Sequence, residues 1–298
     1  MNILESDTPE MKENASMKFP TLSGWANTAR GLHRAAQILG AIRMLTREPV
    51  ENYLELALRV VPHGLSSEVL PSGGRVELDF RRAALLVIAP SGQGVALSIS
   101  GCTQAALLEA VLTTLNAQGQ PLVEAGSQGF TANFLKALEV KGHTLNGSLI
   151  LTDPERLEVN RKFSADYVRV LWQVFTATAR WGARLTGFVT PAVVWPEHFD
   201  LSTLWFATER HDGNAPHMNF GFAPFDAEFS EPYLYAYAYP MPDGFEDLPL
   251  PDGARWHARG WKGMLIPYDV LEASHDPEGL IESAFEAVYH RLALTLRT

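Results

Sequence analysis

Two residues of this chain are spaced as a proton-transfer pair: His198 and Asp200 lie two apart. In an extended segment both side chains point the same way, so the carboxylate can orient the imidazole as a general base. The hydroxyls at hand for nucleophilic attack are Ser202 and Thr203, but no Gly-x-Ser-x-Gly turn raises either of them. A second polar pair, His33 and Gln37, is four apart and shares one helix face, with Gly40 further along offering room for another backbone. That face reads either as one wall of a cleft reaching toward His217 or Tyr237, or as a helix edge hydrogen-bonded to hold a sheet. The remaining histidines are scattered with no His-Glu-x-x-His spacing, so no metal site is expected. Ser72-Gly73-Gly74-Arg75 lacks the continuation of a phosphate loop and reads as a hairpin turn, so no nucleotide or other cofactor is expected.

The strongest local pattern is Tyr233-Leu234-Tyr235-Ala236-Tyr237-Ala238-Tyr239-Pro240. Strict alternation places four tyrosines on one face of a strand and small aliphatic groups on the other. Alanines suit a face pressed against a helix, whereas phenols have rings to bury and hydroxyls to satisfy. The ring-bearing face is either an ordinary half-buried sheet surface or one wall of an aromatic pocket. In the pocket reading, Trp195, Trp205, Tyr235 and Tyr237 supply the rings, and His217 and Asp200 orient the ligand.

The elements that must position these groups follow from periodicity. Leu22, Trp25, Ala29, Leu32, Ala36 and Leu39 predict an amphipathic helix over 22–46, stopped by Pro49. Short strands are expected at 54–61, 65–70, 75–80, 85–88 and 95–99, then a helix over 103–116. The order then repeats: a helix over 165–185, strands at 192–195, 204–208, 218–222, 233–239 and 255–266 with a break near Gly260, and a closing helix over 277–296. This predicts an α+β fold of two similar helix–antiparallel meander–helix halves, an internal duplication. The expected organisation is a disordered tail (1–18), a first half (19–126), a linker (127–162) and an aromatic-rich second half (163–298). The linker carries candidate elements at 130–138 (helix) and 148–151 (strand).

Composition narrows the partners. Apolar and charged fractions of 46% and 19% are those of a globular protein, and no window has the long apolar run of a membrane helix. Of 30 aromatic residues, 24 fall after residue 150. The net charge of −10 is concentrated there too, with seven carboxylates and no lysine or arginine between Asp226 and Asp252, which disfavours nucleic acid. A single cysteine, Cys102, forms no internal disulfide and fits a reducing cytoplasm, and the acidic opening segment does not read as a signal peptide.

Several segments in order resemble a known family: Leu32-His33-Arg34-Ala35-Ala36-Gln37-Ile38-Leu39-Gly40, Gly73-Gly74-Arg75-Val76-Glu77, Phe199-Asp200-Leu201, Tyr235 to Pro240 with Gly244-Phe245, and Pro267-Tyr268-Asp269. Over roughly residues 19–296 the chain is similar to an uncharacterised bacterial domain-of-unknown-function family, number 5996. The resemblance implies no assigned activity and no catalytic residue. It also marks departures, since members tend to carry a Ser-His-Glu-like triplet where this chain has Pro216-His217-Met218. The reading favoured by the sequence is a non-enzymatic protein that binds a small apolar or aromatic ligand in the second half. Its site residues would be His33, Gln37, Trp195, Asp200, Trp205, His217, Tyr235 and Tyr237. The alternatives are a His/Asp hydrolase and a protein-interaction module, including a homodimer formed through the tyrosine face.

Overall fold

The computed structural model describes residues 18–127, 129–141 and 149–297. The expected tail falls almost wholly outside the described residues, as does Ser148. The first long helix, α1 (Ala26–Thr46), is buried on nearly every side, including Leu32, Ala35, Ala36, Ile38 and Leu39, and so lies inside the fold rather than on its surface. The chain leaves it in extended form, with Pro49 barring a further turn.

Five strands follow: β1 (Arg59–Val61), β2 (Gly64–Ser66), β3 (Arg75–Asp79), β4 (Ala84–Ile88) and β5 (Gly94–Ser98), paired antiparallel in sequence order. The strand expected over 54–61 is shorter, because Asn52 and Tyr53 adopt left-handed conformations (φ 59° and 57°) in a 3-10 turn and delay the pairing. The strand expected over 65–70 stops at Ser66, since Glu68 is also left-handed and its carboxylate is held by Arg43 Nη1 at 2.8 Å. Helix α2 (Gln104–Ala117) starts on the Thr103 hydroxyl, which accepts from the Ala106 amide, and α3 (Phe130–Val140) occupies the expected place in the linker. Residues 149–151 form no strand; the Ile150 amide instead donates to Gln104 Oε1 at 2.8 Å.

Helix α4 (Arg161–Gly182) opens with the Asn160 side chain capping two backbone amides. It leads into β6 (Val193–Trp195), β7 (Asp200–Phe206), β8 (His217–Ala223) and β9 (Tyr233–Tyr239). Next come β10 (Arg255–His257), β11 (Gly263–Pro267), the short α5 (Tyr268–Ala273) and α6 (Pro277–Leu292) with a 3-10 extension over 293–296. The second sheet runs β6-β7-β8-β9-β11-β10, all antiparallel. It is therefore not the plain meander expected, because β11 enters beside β9 and displaces β10 to the edge. Strand β7 begins four residues earlier than the sequence suggests, because polar Asp200, Ser202 and Thr203 interrupt the apolar pattern at its start.

The two sheets are joined edge to edge. Leu58 and Val194 exchange both backbone hydrogen bonds, at 2.8 and 3.0 Å, so β1 continues into β6. Below the sheets lies one contiguous core drawing on both halves. Trp181 of α4 wedges between Phe220 of β8 and Phe285 of α6, with ring centroids 4.3 and 5.3 Å away. Each such fully buried ring contributes about 2–3 kcal/mol in burial alone. Ala236 and Ala238 belong to this core, sealed beneath α6, so the thin face of the tyrosine strand is helix-covered as its composition predicts.

Candidate functional site

The opposite face of the second sheet bears the tyrosines. β9 is a central strand, and its register sets Tyr235 beside Gly221 and Tyr237 beside Asn219 of β8. A side chain at 221 would collide with the Tyr235 phenol, and its Cβ would lie 2.7 Å from the Leu201 carbonyl oxygen. The missing Cβ lets the Tyr235 ring lie across β8, and its hydroxyl donates to Asp200 Oδ2 on β7. Tyr237 accepts a hydrogen bond from Asn219 Nδ2 at 3.0 Å and stacks on Tyr235 at 6.2 Å with planes 12° apart. Tyr233 donates to Asp226 Oδ2 at 2.7 Å and stacks with Trp261, which the β10–β11 turn brings over the sheet. Tyr239, at the strand end, is 48% exposed and stacks on His217.

Asp200 is the chemical centre of this face. It is only 8% exposed, and while Oδ2 accepts a hydrogen bond from the Tyr235 hydroxyl, Oδ1 has no hydrogen-bond partner among the described residues. Burial pushes its carboxyl above the usual carboxylate range, against the opposing hydrogen bond from Tyr235. Burial and the neighbouring carboxylate together push Tyr235 well above the ordinary phenol value, so the phenol is a donor at neutral pH. Asn219, 9% exposed, likewise has Oδ1 unpaired once its amide is given to Tyr237. A buried acceptor with no donor costs about 1–3 kcal/mol, more when charged. Two of them on one aromatic floor are a feature that folding alone does not explain.

The other wall comes from α1 and the turn between β6 and β7. Gly40 admits Pro196, whose ring carbon would be 2.7 Å from a Cβ there, so the helix is indeed approached closely at this glycine. His33 Nε2 lies 3.0 and 2.9 Å from the carbonyl oxygens of Pro196 and Glu197, and its ring stacks on Phe199 at 5.5 Å. Phe199 is left-handed (φ 62°), an unfavourable conformation for a bulky residue, and is held there by Phe80, Tyr167 and His33 packed around its ring. Burial lowers the His33 pKa to about 4, so the imidazole is neutral at pH 7 and serves as a hydrogen-bonded strut for the turn. Gln37 is buried behind it, its carbonyl accepting from Gln104 Nε2 at 3.0 Å, and does not line the open space.

Between these walls lies an open cleft of about 1450 Å³. Six of the eight residues proposed from the sequence line it: His33, Trp195, Asp200, His217, Tyr235 and Tyr237. Gln37 supports it from within. Trp205 takes no part, because it is five residues from Asp200 and therefore on the opposite face, where its indole donates to the Thr186 carbonyl and packs against Tyr289.

Among the described residues no hydrogen bond joins Asp200 to a histidine: its Oδ2 accepts from Tyr235, His198 lines the same cleft without a hydrogen bond to that carboxyl, and His217 Nδ1 lies 2.8 Å from the Ala215 carbonyl oxygen, with burial lowering the pKa of its ring. Ser202 accepts from the Trp195 indole at 2.9 Å, and Thr203 donates to the Thr190 carbonyl at 2.6 Å. Among the described residues no three His, Cys, Asp or Glu side chains are grouped to hold a metal ion. None of the described helices is long and apolar enough to cross a membrane.

The sequence places Tyr233 on the tyrosine face without assigning it to the site, and singles out none of Asn219, Gly221 and Trp261. Asn219 and Gly221 carried a signal: His217-x-Asn219-x-Gly221 alternates in step with the tyrosines on the paired strand. Trp261 carried none, since its place depends on β11 entering beside β9. A family model described as a family of unknown function (DUF5996) matches residues 19–297. The chain belongs to that family. No curated protein and no solved structure matches it significantly.

Proposed function

We propose that this family member is a non-enzymatic binding protein that holds a small molecule with an apolar or aromatic body in the cleft over the tyrosine face. The observation that carries this reading is that Asp200, whose buried Oδ1 has no hydrogen-bond partner among the described residues, lines with several aromatic rings a cleft larger than the roughly 300–1,000 Å³ of ordinary ligand pockets. Such a group is costly to maintain and gains its compensation from a ligand donor. Rings at Trp195, Tyr235, Tyr237 and Trp261 would supply the contact area, and the Asp200–Tyr235 pair would set the orientation.

Thermal-shift screening of the purified chain tests this. A ligand at one hundred times its dissociation constant adds about 2.7 kcal/mol of stability, a shift of several degrees. Tyr237→Ala and Trp261→Ala should abolish the shift given by any hit. Hits unaffected by both substitutions, or no stabilising compound in a broad aromatic library, would remove the proposal.

A further inference from the structure

The charge around the cleft narrows the ligand. Its described lining includes four carboxylates, Glu55, Glu197, Asp200 and Asp226, and neither lysine nor arginine. Three histidines also line it, His33, His198 and His217, and burial lowers the pKa of His33 and His217, so those two do not offset that charge at neutral pH. Aromatic faces attract cations through their quadrupoles, and Tyr235, Tyr237, Trp195 and Trp261 all border the same space. The unpaired atoms on the floor, Asp200 Oδ1 and Asn219 Oδ1, are both acceptors, which call for N–H or O–H donors.

From the four carboxylates, the aromatic walls and the unpaired acceptors, we infer that the cleft selects organic cations: a protonated amine directed at Asp200, carried on an aromatic or aliphatic body that lies against the tyrosine face. The ammonium would donate to Asp200 Oδ1, completing the carboxylate that Tyr235 already holds by Oδ2. An anionic ligand would meet this group of carboxyls with no lysine or arginine among the described lining residues to receive it. This inference rests on the cleft being a ligand site.

The experiment uses matched pairs on the full chain: phenethylamine with phenethyl alcohol, benzylamine with benzyl alcohol, and hexylamine with hexanol, each titrated calorimetrically at neutral pH and low salt. At least one ammonium should bind tenfold or more tightly than its neutral twin. That preference should shrink as salt rises to about 1 M, where the screening length falls to about 3 Å. Asp200→Asn should remove most of the preference, lowering the amine's affinity at least tenfold more than the alcohol's. Should that variant fail to fold, the salt dependence of the wild-type pairs decides. Alcohols binding as tightly as their amines, or an amine preference insensitive to salt and to Asp200→Asn, would overturn the inference yet leave the cleft as a ligand site. Absence of binding by every member of both series would remove the inference and count against the binding reading as well.

Discussion

Removing one hydroxyl, with Tyr235→Phe, isolates the energetic centre of the cleft. The ring would still lie across Gly221 and keep its stacking, so packing changes little; what is lost is the one hydrogen bond that the Asp200 side chain accepts from another side chain among the described residues. A hydrogen bond to a charged group contributes about 1.5–3 kcal/mol, against about 1 kcal/mol for a neutral one. The destabilisation should therefore depend on the ionisation of Asp200. Its folded pKa is already raised by burial, and Tyr235 is the main group opposing that rise, so the substitution raises it further. A carboxyl whose folded pKa exceeds its unfolded value loses stability as pH climbs from the unfolded value through the folded one. Below about pH 4 the group is protonated in both states and the substitution should cost about 1 kcal/mol. Where the carboxyl is ionised it should cost about 2–3 kcal/mol, or roughly 3–5 °C in melting temperature. Urea unfolding of wild type and variant across that range measures the difference directly. A cost independent of pH, or larger at the acid end, would refute the placement of an ionisable carboxylate against this phenol.

Three further outcomes follow from the same geometry. Gly221→Ala should destabilise by about 3 kcal/mol or more, because the new methyl meets both a ring and the backbone of β7; denaturant midpoints check it. Trp181→Ala should cost about 3–5 kcal/mol by emptying the wedge between Phe220 and Phe285, again read from unfolding curves, without altering any ligand affinity of the cleft. The His33 ring should titrate near pH 4 by NMR rather than near 6.5, and the folded state should lose stability as pH falls from about 6.5 toward 4, since the unfolded chain takes up that proton first; a midpoint near 6.5 would contradict its burial.

How much of this was legible in the sequence depended on whether the signal was local. The tyrosine strand, with its alanine side sealed by a helix, follows from period-two alternation within seven residues. His33, Gln37 and Gly40 were recognisable as a special helix face, and the glycine's close neighbour is Pro196. Trp205 turns on parity: counting from Asp200 puts it with Leu201 and Thr203, a count that a strand expected only from Leu204 does not make available. Trp261 and the Leu58–Val194 junction depend on which strands become neighbours, a long-range choice that no single segment encodes. The left-handed Phe199 is likewise set by the rings around it, not by its own preference.

That Leu58–Val194 exchange of backbone hydrogen bonds has a bearing on how the molecule can be handled. With β1 stitched to β6 and α1 reaching past the seam to brace the β6–β7 turn, the molecule has no clean place to be cut in two. A fragment beginning at α4 would start with a raw strand margin along β6 and an unclad Phe199, both invitations to self-association. Production of the second half by truncation should therefore give aggregates, whereas in the uncut chain β1 covers that edge.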